Sequence, residues 1–105
     1  MRVFSQNALN ELPPPPECSG DSAAKEVLRA WIVKNGLSVS LSPLSFESPA
    51  VWGMLLVDVA RHVARSYEQE GEGSYDDVMR QIRYLFDHEW DVPTDLGTTN
   101  ELKRQ

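Results

Sequence analysis

Asp58 and His62 stand four residues apart, with Arg61 between them and Arg65 just beyond. On a helix, side chains at that spacing meet on one flank. A carboxylate beside an imidazole can orient a general base or share a divalent metal. More often the two make a simple ion pair on the surface. No second histidine motif supports a metal site, so none is expected.

A second polar group sits in "FDHEWD", where Asp87, His88, Glu89 and Asp91 surround Trp90. Such a cluster suits a divalent cation or a basic partner. Carboxylates in a final helical turn oppose the helix dipole, so Arg61, Arg65, Arg80 or Arg83 is expected to offset them in a salt network. Glu89 stands out because helical periodicity puts it on the apolar arc. The candidate ligand-binding residues are Asp58, Arg61, His62, Arg65 and His88. No catalytic residue and no cofactor is expected.

The rest of the chemical inventory is thin. Neither "GLSVSLS" nor "GEGS" has the spacing or context of a phosphate-binding loop. The serines form no GxSxG elbow. Cys18 is the single cysteine, which excludes an internal disulfide and a thiolate-rich zinc site. One thiol and two histidines lean away from an enzyme. Net charge is −6, which weighs against nucleic acid as a partner, because that binding depends on Lys and Arg neutralising phosphates. The longest apolar run, "AVWGMLLV", is far too short to cross a bilayer, so no membrane partner is expected. The opening stretch "MRVFSQNALNEL" lacks the apolar run and cleavage site of an exported chain. With a free thiol, this points to the cytoplasm.

The elements that must position these groups follow from patterning. Residues 1–24 form a proline-rich arm whose "PPPP" favours an extended polyproline conformation; Val3, Phe4, Ala8 and Leu12 are its apolar contacts. The alternation in "RAWIVKNGLSVSLS" predicts a β-hairpin. Asn35-Gly36 as a type I′ turn would pair Lys34 with Leu37, Ile32 with Val39 and Ala30 with Leu41. A rival reading makes "DSAAKEVLRAWIVKNG" a helix, but "LSVSLS" needs a strand partner and this segment is the nearest. Residues 49–70 read as a helix with Ser48 as cap, Pro49 in its first position and Gly71 past its end. Its apolar face holds Trp52, Leu55, Leu56, Val59, Val63 and Tyr67, and its first turns are apolar nearly all round. Residues 75–91 read as a second helix capped by Ser74 and stopped by Pro93. The short "EGEG" connection predicts antiparallel helices. Residues 94–105 read as a polar tail.

The hairpin sorts Leu28, Ala30, Ile32, Leu37, Val39 and Leu41 onto one face, which the helices are expected to cover. Trp31 and Val33 then point the other way, where either the folded-back arm or a second copy must shelter them. The unprotected edge of residues 37–42 and the doubly apolar first helix favour the second copy. The expected interface holds Trp31, Val33, Ser38, Ser40, Val51 and Met54. A chain of 105 residues has one small core at most, and such domains often gain stability by association.

Three segments also carry a resemblance. The pattern W-I-x-x-x-G-L-x-x-S-L covers Trp31, Ile32, Gly36, Leu37, Ser40 and Leu41. The pattern A-x-W-G-x-L-L-x-D-x-x-R-H covers Ala50, Trp52, Gly53, Leu55, Leu56, Asp58, Arg61 and His62. With "DHEWDVPTD", they resemble an uncharacterised bacterial domain-of-unknown-function family, number 5076, over roughly residues 26–95. The resemblance supports the hairpin and implies no activity. The expected architecture is α+β: one ββαα domain over residues 25–93, with a β-hairpin followed by two antiparallel helices, dimerising through the hairpin. The expected function is that of a small soluble protein-binding or structural protein. The alternatives are a small enzyme or metal- or ligand-binding protein with a polar site near Asp58, Arg61, His62 and His88, and a regulator contacting nucleic acid through Arg61, Arg65, Arg80 and Arg83.

Overall fold

A computed structural model describes residues 9–94 and 97–101. The element order is a short 3-10 turn at Pro16–Gly20, β1 (Leu28–Val33), β2 (Gly36–Leu41), α1 (Ala50–Gln69), α2 (Tyr75–Asp91) and β3 (Thr98–Glu101). This is an α+β chain with a three-stranded sheet in the order β1-β2-β3. The expected packing of Val3, Phe4 and Ala8 lies outside the described residues.

The hairpin turns one residue earlier than the Asn-Gly signal suggests. Lys34 and Asn35 take the positive φ values, 52° and 66°, which a two-residue type I′ turn demands at both central positions. Gly36 becomes the first residue of β2, opposite Val33. Ile32 therefore pairs with Leu37, Ala30 with Val39 and Leu28 with Leu41, replacing the expected register. Each partner has moved by two residues, an even number, so every side chain keeps its face. One face carries Leu28, Ala30, Ile32, Leu37, Val39 and Leu41, and the other carries Arg29, Trp31 and the serines.

Local chemistry fixes both helices. Ser48 Oγ accepts the Ala50 amide at 3.2 Å, and Pro49 already has helical dihedrals, so Ser48 acts as the cap of α1. At the other end Gly71 has φ 75°. The amides of Glu72 and Gly71 reach back to the carbonyls of Tyr67 and Glu68, the hydrogen-bond pair of a Schellman ending. Ser74 Oγ then accepts the Asp77 amide at 3.2 Å, with Asp76 and Asp77 in the positive first turn of α2. Glu68 joins the two elements by accepting the Tyr75 amide at 3.2 Å. Val92 leaves the helical region, with φ −132° and ψ 76°, as the residue before a proline is biased to do.

Residues 98–101, expected within a polar tail, form β3 parallel to β2, with Ser38 opposite Thr98 and Leu41 opposite Glu101. The edge of β2 that patterning leaves open is thus occupied. Parallel strands require a crossover, and α1 with α2 makes it. Crossover helices ordinarily cover a face of their own sheet. Here, among the described residues, α1 packs on α2, the strands pair with each other, and no helix Cα comes within 8 Å of a strand Cα. The expected covering of the hairpin by its own helices is absent. Ala64 and Val78 are the only buried apolar residues among those described. The chain exposes 9247 Å², against about 5,900 Å² for a folded monomer of its mass. Its radius of gyration is 16.2 Å, where about 13 Å is usual for this length.

Gly97 opens β3 with φ 71°, and a Cβ there would stand 2.7 Å from the Leu37 carbonyl oxygen. Gly97→Ala is therefore expected to detach β3 while sparing the hairpin. Amide exchange should accelerate at Thr98–Glu101, while the amides that cross between β1 and β2 stay protected.

Candidate functional site

The larger concavity is a groove of about 860 Å³ between the helices. α1 contributes Trp52, Gly53, Leu56, Val57 and Ala60, a run of three- and four-residue steps that places them on one stripe. α2 contributes Met79, Ile82, Phe86 and Trp90 at the same kind of spacing. Phe86 and Trp90 lie tilted together with ring centroids 5.4 Å apart. Leu56, Val57 and Phe86 are exposed, and Trp90 is 72% exposed.

The rim is charged but locally neutralised. Arg83 Nε reaches Asp87 at 2.9 Å and Arg80 pairs with Asp77. Pairs this exposed add little stability. Their consequence is electrostatic, because neither arginine presents a bare cation to an anionic ligand.

Trp52 anchors the segment that leads into α1. Its Nε1 donates to the Pro43 carbonyl at 3.3 Å, and Phe46 meets it edge-on with centroids 5.1 Å apart. The chain leaving β2 is thereby tied to one end of the groove.

A smaller groove of about 330 Å³ lies between the N-terminal arm and β1, lined by Pro13, Pro14, Pro15, Arg29 and Trp31 among others. Arg29 bonds Glu26 at 2.9 and 3.0 Å and also pairs with Glu11. Glu26 first, then Glu11, holds the guanidinium even more firmly in its charged form. The arm thus gives Trp31 part of its shelter, and the indole is half-buried. On the opposite face Leu28, Val39 and Leu41 are half-buried, while Ile32 is 76% exposed and Ala30 and Leu37 are also exposed.

The sequence-predicted polar residues do not converge. Asp58 pairs with Arg61 at 3.4 Å, and both are exposed. His62, Arg65 and His88 are exposed as well, and none of the five lines either groove. Among the described residues no group of histidine, cysteine or acidic side chains could hold a metal ion. Of the expected interface residues, Val33 and Met54 are exposed, while Trp31, Ser38, Ser40 and Val51 are half-buried. Helical periodicity had assigned Trp52 and Leu56 to a core. The groove went unrecognised, although the stripe from Trp52 to Ala60 carried its signal.

A family model described as a domain of unknown function, DUF5076, matches residues 11–94. The chain belongs to this family. The match takes in the hairpin and both helices and ends before β3, so the groove is built entirely from the DUF5076 region. A solved structure from the photosynthetic bacterium Rhodopseudomonas palustrus, described as a "putative pyruvate dehydrogenase", is 42% identical and superposes with a TM-score of 0.70. The alignment covers 91% of this chain and 98% of that one. No curated protein matches the DUF5076 chain. Among the described residues no helix is long and apolar enough to cross a membrane.

Glu89, the polar residue on the apolar arc, ties down the chain after α2. Its Oε1 accepts the Thr94 amide at 2.8 Å and its Oε2 accepts the Thr94 hydroxyl at 2.5 Å. Chiefly the hydroxyl bond, then the amide bond, holds its carboxyl below the ordinary glutamate value. A lowered folded pKa means that this tie is intact above the ordinary value and is lost as pH falls through the lowered one. In an acid titration followed by NMR, the Thr94 amide should shift with a midpoint below that of a free glutamate, and Glu89→Gln should abolish the shift. A midpoint at or above the ordinary value would contradict the tie.

Proposed function

We propose that the working unit is a homodimer joined through its hairpins, a protein-binding or structural module, with α1 and α2 antiparallel in each chain. One observation carries this reading: two apolar surfaces, the Ile32–Leu37 face of the sheet and the helix groove, lie uncovered in the single chain. Exposed apolar patches this extended mark association surfaces. The surplus of about 3,300 Å² per chain over a folded monomer of this mass is more than the roughly 1,000–2,500 Å² that each partner gives up in an obligate dimer. The hydrogen bond from the Tyr75 amide to Glu68 across a short linker supports the antiparallel arrangement of the helices.

A second reading draws on the Rhodopseudomonas structure's description and makes this chain an enzyme acting on pyruvate. The sequence-level candidates for such a role are Asp58, Arg61, His62, Arg65 and His88. Pyruvate is a small anion and needs a cation free to meet it. The groove is apolar and its rim arginines are already paired with Asp77 and Asp87, which favours a macromolecular partner over this substrate.

Light scattering at micromolar concentration is expected to give twice the 11.8-kDa chain mass. Ile32→Asp would place an uncompensated charge at the contact, worth about 3 kcal/mol or more. It should raise the dimer Kd about 100-fold. A monomer mass for the native chain would sink the proposal.

A further inference from the structure

We infer that each protomer's sheet is seated in the helix groove of the other, a reciprocal exchange that gives both surfaces one occupant. This rests on the dimer reading and specifies its contact.

Three features support it. The crossover helices of a parallel β2–β3 pair belong on the sheet, yet among the described residues no helix Cα comes within 8 Å of a strand Cα. Trp52 donates to the Pro43 carbonyl and meets Phe46 edge-on, which fixes the exit from β2 at the groove's end. The surfaces also match in charge and length. The sheet face around Ala30, Ile32, Leu37 and Val39 is apolar, with Glu101 of β3 the one charge on it, beside Leu41, and the groove floor between Leu56 and Phe86 carries no charge. Arginines on the rim are neutralised by aspartates of their own helix, and the rim's Asp76 lies in the positive first turn of α2. A six-residue strand runs about 20 Å, and the α2 side of the groove from Met79 to Trp90 runs about 16 Å.

Exchange of an identical element between two copies closes with twofold symmetry. Each chain then supplies one sheet and receives one, and neither surface remains for a third copy.

The test is site-directed cross-linking of the full chain in a Cys18→Ser background, since Cys18 is exposed. Tagged chains bearing Ile32→Cys are refolded together with untagged chains bearing Phe86→Cys, then oxidised. The expected result is a mixed covalent dimer as the dominant product, with a shift to twice the chain mass on a non-reducing gel. Leu37→Cys with Val57→Cys is the second pair and should behave alike. A chain carrying both Ile32→Cys and Phe86→Cys, diluted into excess Cys18→Ser chains, should form no internal disulfide. An internal disulfide would overturn the exchange, because the sheet would then fold onto its own helices. A dimer by light scattering without the mixed cross-link from either pair would overturn the seating but leave the dimer standing. A monomer by light scattering would overturn both.

Discussion

Apolar surface that one chain does not cover is the constraint on which everything else here depends. A sheet with one apolar face and a helix pair with one apolar groove each need a lid, and removing such surface from water is worth about 25 cal/mol per Å². In this chain the two do not meet. Ala64 and Val78, the buried apolar residues among those described, cannot supply the core of a domain. Local structure is nonetheless well determined, through caps at Ser48 and Ser74 and the glycine ending at Gly71. Backbone hydrogen bonds and caps shape the elements, but they give too little net stability to replace the missing burial.

Polar side chains serve the same architecture. Glu68 couples the end of α1 to the start of α2, Glu89 directs the chain past Pro93, and Arg29 holds the arm against β1. The aspartate–arginine pairs run along single helices. Charges satisfied so close to home leave the grooves apolar and the surface solvated.

Much of the fold was legible in the sequence because its signals are local. Ser74, Gly71 and Pro93 mark helix ends through chemistry within a few residues, and both helices lie within a residue of where those marks put them. The hairpin faces were legible too, since they depend only on alternation. The register was not, because Lys34 tolerates the positive φ that the pattern assigned to Gly36. β3 escaped notice because "TTNE" has no apolar alternation and pairs with β2 across the whole helical crossover. Spacing made Asp58 and His62 look like a site, but convergence is a tertiary property and spacing on one helix cannot report it. For the same reason, periodicity marked Trp52 and Leu56 as facing something apolar without saying which chain supplies it.

If the apolar faces are closed only by a second copy, folding and association are one event, and stability must depend on protomer concentration. The most direct measurement is therefore urea unfolding of the native chain over a hundredfold range of protein concentration, followed by tryptophan fluorescence and circular dichroism together. The account predicts a single transition whose midpoint rises steadily with concentration. A midpoint that stays fixed across the range would mean that one chain folds unaided, and the uncovered faces would lose the meaning given to them here.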